Sequence, residues 1–225
     1  MIGTLVNTGA ILVGGALGLF IKKGLPPRIT DGVMKALGLV TVFIGVSGAI
    51  ESQNVMVAVL SVVLATVLGA WIDIDGRLHR LSEKLNRSSE NTRFSEGFMS
   101  ATLLFVTGAM AVTGAMQEGM NGDYSLLFTK AIMDGISALL LSAALGAGVL
   151  LSAVSVLIYQ GGISLISGIA APVLTAATIV EMGAVGSILV IGVGLNLLGA
   201  TKVKVFNSIF AILLPIPLLL LYNIF

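Results

Sequence analysis

Several apolar runs in this chain exceed the ~20 residues that an α-helix needs to cross a bilayer. No soluble core of this size could hide them, because the 225 residues are 56% hydrophobic and only 10% charged, against about 25% charged in an ordinary soluble domain. The runs do not alternate apolar with polar as the strands of a membrane barrel must. The expected fold class is therefore an all-α membrane protein, a polytopic helical bundle of about seven to eight transmembrane helices with internal repeats.

Within that frame the most irregular stretch is residues 161–200, GGISLISGIAAPVLTAATIVEMGAVGSILVIGVGLNLLGA. It is apolar throughout, yet carries glycine clusters, Pro172, the carboxylate Glu181 and Asn196. Irregular backbone is tolerated in hydrocarbon only where protein or a water-filled cavity covers it. An ionisable group at that depth is a functional hypothesis by default.

Spans are expected at residues 3–21, 31–50, 55–72, 96–116, 131–158, 161–180, 181–200 and 206–222. Pro26 and Pro27 separate the first two, Thr30 and Asp31 are placed to open the second, and Trp71 is an interfacial anchor for the third. Residues 73–95 form the longest polar segment. Leu78, Leu81 and Leu85 fall on one helical face, with Arg77, Arg80, Lys84 and Arg87 around them and Glu83–Arg87 spaced i,i+4. This is an amphipathic helix on the membrane surface, either resting on anionic lipid or docking a cytosolic partner. Eight spans with the N-terminus outside put every Lys and Arg except Lys130 on the cytoplasmic side, as the positive-inside rule asks. A re-entrant loop at 161–180 would turn Lys202 and Lys204 outward. The uncharged start, MIGTLVNTGAILVGG, reads as a retained first span rather than a cleaved signal.

Residues 31–51 and 96–118 both open with acid-Gly-x-Met-x-Ala and close on Gly-Ala-(Ile/Met) before an acid, and a fainter third copy begins at Glu181. Internal symmetry of this kind is common in transporters. The segments GTLVNTGAILVGGALGLFIKKGLP, SEGFMSATLLFVTGAMAVTGAM, KAIMDGISALLL, YQGG and EMGAVGSILVIGVGLNLLG occur in this order along essentially the whole chain. Together they resemble the bacterial integral membrane family called domain of unknown function 554. The resemblance implies a bacterial inner or plasma membrane protein. Because some members carry a label as a possible sodium channel or pump, it also tilts the reading toward cation transport.

Glu181 and Asn196 are the first candidate transport or ion-binding residues. Glu181 is either a cap at a helix start or a carboxylate binding a cation or shuttling a proton inside the bundle. Asn196 lies about 22 Å further along a straight helix, too far to share one small site. It serves either an interhelical hydrogen bond or a pathway. Asp134 is the next candidate, spaced i,i+4 from Lys130 as an interfacial salt bridge or, if the span tilts inward, a deep acid. Asn7 is the fourth, beside the close-packing glycines Gly9, Gly14, Gly15 and Gly18. Glu96 and Glu118 bracket the fourth span, and Asp73-Ile-Asp75 is a weak pair for a hard cation, so any metal is unknown.

No phosphate loop, nucleophile elbow or His-Glu-x-x-His motif occurs, the one histidine, His79, sits in the basic surface helix, and cysteine is absent. An enzyme is not expected, nor a cofactor. A net charge of +1 gives no reason to expect nucleic acid. The expected function is a secondary transporter or channel for a small solute or cation, with the lipid bilayer and a second copy in a homo-oligomer as the expected partners. The competing class is a non-transport scaffold or regulatory subunit recruiting a cytosolic partner through the basic helix.

Overall fold

The structure, a computed structural model, describes residues 1–22, 26–85 and 91–222. The described residues are helical, with no strand among them. In order they form α1 (Ile2–Lys22), α2 (Pro27–Ala49), α3 (Val55–Ile72), α4 (Ile74–Leu85), α5 (Asn91–Val106), α6 (Ala109–Asn121), α7 (Ser125–Leu145), α8 (Gly148–Ala170), α9 (Ala176–Leu197), a 3-10 segment (Val205–Leu213) and α10 (Pro215–Tyr222). Six of these are long and apolar enough to cross a membrane, and a seventh crossing is added if α5 and α6 count as one bent span. The protein is an all-α polytopic membrane protein.

Contacts between glycines and their neighbours fix the helix directions. A Cβ on Gly3 would meet Leu127, and one on Gly18 would meet Leu139, so α1 and α7 run parallel. Gly38 faces Gly194 and Leu198 while Gly48 faces Ser187, so α2 and α9 run antiparallel. Gly97 of α5 packs near Val149 and Gly119 of α6 near Ser164 and Ser167. The α5–α6 pair thus follows α8 from its first turn to its last, despite a 61° bend. A re-entrant hairpin would turn back on itself, so the pair is one broken crossing. Lys22, Arg28, Arg77, Arg80, Arg93, Lys202 and Lys204 all gather at one end, the basic end. The turns after Ala49, Asn121 and Ala170 lie at the other.

Several boundaries differ from those expected. The expected span 131–158 divides at Gly146, whose φ of +91° suits glycine, giving α7 and α8. The expected span 161–180 is consequently no separate crossing. Gly161 and Gly162 sit inside α8, and Gly161 lies where Met1 and Thr4 of α1 approach, so this glycine serves packing and not a break. Pro172 falls in the turn that follows, and Thr175 starts α9 by accepting from the Thr178 N–H at 3.2 Å. The expected span 181–200 therefore begins at Ala176, with Glu181 already inside the helix. Helix α2 starts at Pro27 with Pro26 before it, earlier than Asp31, which instead pairs with Lys35 on the helix surface at 3.0 Å. The expected last span is two pieces, the 3-10 segment and α10, together roughly 30 Å long at standard rises. Helix α4 lies on the expected amphipathic segment and contains Lys84; Lys23, Arg87 and the pairing proposed for Glu83 lie outside the described residues.

Small residues set the two main helix pairs. A Cβ on Gly14 would collide with the Gly135 carbonyl oxygen, whereas one on Gly9 would meet nothing within 4 Å. In lipid no hydrophobic effect draws helices together, so such backbone approach is the main source of association. Gly14→Ala is expected to lower the thermal midpoint of the detergent-solubilised protein, at about 1–3 kcal/mol for overpacking. Gly9→Ala should leave the midpoint unchanged or raise it slightly, since Ala is about 1 kcal/mol the better helix former. Equal effects in a melting assay would contradict the close α1–α7 contact.

Candidate functional site

The acids near the membrane-spanning segments fall into two groups. Most clamp helix starts that belong to other parts of the chain. Glu181, 2% exposed, takes the N–H groups of Gln53 and Asn54 at 2.6 and 2.7 Å and the Ser52 hydroxyl at 2.8 Å. It caps the start of α3 and the turn before it, while its own helix is capped by Thr175. Glu118 of α6 does the same for α1, accepting from Gly3 N and from Thr4 Oγ1 at 2.7 Å, with the Met1 amino group 3.1 Å away. Asp75 accepts from Phe206 N at 3.3 Å at the start of the 3-10 segment, and its own N–H donates to Asn207 Oδ1 at 2.9 Å. In the turn before α7, Asp123 accepts from the Ser125 hydroxyl and N–H, which hold its carboxyl below the usual range.

Asn196 is likewise a fastener. Its amide accepts from Thr201 Oγ1 and Val203 N and donates to the Val203 carbonyl, all at 2.8–2.9 Å. This ties down the turn after α9, where Gly199 adopts φ +74°. Glu181 and Asn196 are thus not brought together.

Asp134 is different. It is buried and receives Lys130 Nζ at 2.9 and 2.7 Å on its two oxygens, and Asn7 Nδ2 at 3.0 Å. The pair is buried within the bundle, with α1 and α8 packed against this helix. Asn7 donates its other proton to Gln160 Oε1 at 3.1 Å. Asn7 and Gln160 are both 0% exposed, yet Asn7 Oδ1 and Gln160 Nε2 have no partner. Asp134 and Asn7 were legible as candidates; Gln160 was missed, although an amide in the uncharged α8 is a signal of its own.

A second irregularity lies at the α5–α6 break. Gly108 has φ +91° and ψ 144°, and no side chain caps α6. The N–H groups of Gly108, Ala109 and Met110 close no helical turn across the break. Gly183 and Gly186 of α9 provide the room: added Cβ atoms would lie 3.0 Å from Ala109 N and 2.7 Å from Thr107 Cγ2. Beneath it, toward the basic end, opens a cavity of about 480 Å³ between α4, α5, α9 and the 3-10 segment. Leu103 and Val193 line its deep part, Ser100 and Glu96 its α5 wall, and Lys202 and Lys204 its mouth. Leu103 is one helical turn from Thr107, so the cavity approaches the break. Of the acids and amides singled out from sequence, Asn196, Asp75 and Glu96 border it; Asn7, Asp134 and Glu181 do not.

The clamp geometry separates capping from charge coupling at Glu181. Glutamine keeps the oxygen that accepts both backbone N–H groups, and a serine hydroxyl can accept as readily as donate. Glu181→Gln should therefore retain most of the stability, while Glu181→Ala, which strips two N–H groups of their acceptor, should cost about 2 kcal/mol or more. Thermal melts of the two variants check this. A Gln variant as damaged as the Ala variant would contradict the capping role.

Comparison with known proteins agrees with this architecture. The chain is 30% identical over 219 residues to the uncharacterized membrane protein YdfK of Bacillus subtilis, covering 96% of this chain and 94% of that one. It is 28% identical over 225 residues to the uncharacterized protein YqgA of Escherichia coli, covering 97% and 96% respectively. No solved structure matches it. The family described as protein of unknown function (DUF554) matches residues 2–220, so a buried polar cluster and a broken crossing are here placed on a chain that belongs to the DUF554 family.

Proposed function

We propose that this protein is a secondary membrane transporter for a small solute or ion, with the cavity at the basic end as its vestibule and the α5–α6 break as its gate. The observation that carries this reading is the juxtaposition of the two. Helix breaks within a bilayer are tolerated where they border protein or a water-filled path, and discontinuous helices recur at the substrate sites of transporters. Here the break has an uncapped helix start, glycines opposite it, and a cavity reaching to within one turn. Helix α4 packs against α5 and the 3-10 segment and contributes Asp75 and Gly76 to the vestibule wall, which makes it part of the pathway's frame.

In this reading the basic end is cytoplasmic and the N-terminus external. α1, α2, α3, α5–α6, α7, α8, α9 and the 3-10 segment with α10 make eight alternating crossings of a bacterial cell membrane. The positive-inside rule supports that orientation. Close-packing small-residue faces also suit a homo-oligomer. The protein is not an enzyme in this reading.

The natural chain has no cysteine, so single cysteines can be placed without further engineering. Ser100→Cys, Val193→Cys and Thr107→Cys are expected to react with a membrane-impermeant maleimide from the basic end in oriented vesicles. Ile132→Cys, on the 67% exposed outer face of α7, should not react. Alternating access further predicts that Thr107→Cys is reached from the opposite face as well. Labelling of position 107 from neither face would overturn the reading, and labelling from the basic end alone would reduce the vestibule to a closed pocket.

A further inference from the structure

We infer that the buried Asn7–Lys130–Asp134–Gln160 cluster is a proton-binding site that excludes alkali cations, with a water molecule seated between Asn7 and Gln160. As the site of the coupling ion, it rests on the transport reading above.

The polarity of the network carries the inference. An ionised carboxylate only accepts, so Asn7 must turn its Nδ2 toward Asp134. The second Nδ2 proton then goes to Gln160 Oε1, which forces Gln160 to leave its Nε2 unused. What remains is one acceptor, Asn7 Oδ1, and one donor group, Gln160 Nε2, both enclosed and unpartnered. A hydroxylic molecule with both functions satisfies that pair, and buried waters occupy such positions.

A hard cation fits poorly. It needs about six oxygen ligands, but the space against both Asp134 oxygens already holds the Lys130 ammonium nitrogen. Asn7 turns its amide hydrogens toward Asp134 and Gln160, and its Oδ1, the one free oxygen left in the cluster, falls far short of that ligand number. Among the described residues, no three His, Cys, Asp or Glu side chains converge as metal ligands.

A proton needs only the carboxylate. Hydronium arriving through the water transfers its proton to an Asp134 oxygen, forming the O–H bond there and leaving as water. The cluster goes from neutral to singly positive, and the Lys130–Asp134 attraction within α7, beside the Asn7 bond that ties α7 to α1, is lost.

Among the described residues, the other charged groups on the packed helices are these. Lys130 is the one charged neighbour on α7. Between its amino terminus and Lys22, α1 carries no charged side chain. α8 carries none at all, with Tyr159 its only titratable group. On α6, Glu118 is held by Gly3, Thr4 and the Met1 amine. The charged residues of α2 and α5 lie toward the basic end.

The test uses the full chain in detergent, without any transported solute. Difference infrared spectra over a pH titration are expected to show a protonated-carboxyl band that persists in Glu181→Gln and is absent from Asp134→Asn. In Lys130→Gln the band should appear at higher pH, by a factor of about ten or more in proton affinity, because the neighbouring cation that favours the carboxylate is gone. Exchanging choline for Na⁺ at equal ionic strength should leave the wild-type melting midpoint unchanged at every pH. A Na⁺-specific stabilisation of the wild type, or a band indifferent to both Asp134→Asn and Lys130→Gln, would overturn the inference. The wild-type salt comparison stands even if a variant fails to fold. None of these measurements depends on thiol access to the vestibule, so failure here and failure of the transport reading are separately visible.

Discussion

A helix that starts inside or beside a bilayer leaves several N–H groups without partners, and lipid offers none. This chain answers with carboxylates lent by distant helices. Glu118 on α6 closes the start of α1, Glu181 on α9 closes the start of α3, and Asp75 on α4 closes the start of the 3-10 segment. Each bond joins residues more than one hundred positions apart, so each also fixes the height of one element against another. The negative charge suits the positive end of a helix dipole.

The clamps set height, and small residues set distance. α1 lies on α7, and α2 on α9, through glycines whose missing side chains let backbone meet backbone. Between these two close pairs lies the α5–α6 break, where three N–H groups close no helical turn and α9 presents glycines in place of bulky side chains. The cavity lies toward the basic end from this break, where α4, α5, α9 and the 3-10 segment meet without filling the space.

How much of this could be read from sequence varied with how many helices each feature needs. The lipid environment and the gathering of basic residues follow from composition and order alone. The Lys130–Asp134 spacing was equally visible, but its burial depends on α1 and α8, which no local pattern reveals. Glu181 was recognisable as an acid near a helix start, while the helix it serves is α3, known only once the fold is in view. Glycine was the least legible. Gly146 and Gly108 break helices, whereas Gly161 and Gly162 sit within one, and nothing in the apolar residues around them distinguishes the cases. A partner helix makes Gly161 a packing site, and the torsions at Gly108 and Gly146 make them breaks.

The parallel pairing of α1 with α7 bears on how the protein is made. The ribosome releases α1 long before α7 exists, and α2 waits still longer for α9. For most of synthesis the first helices must reside in lipid, or against membrane insertion machinery, without the surfaces they finally occupy. Asn7 spends that interval without Asp134 and Gln160, the partners it has in the folded chain, and without the α7 backbone that its helix's glycines receive. Biogenesis is therefore governed by a late event: the membrane domain can close around its polar centre only when the second half of the chain arrives.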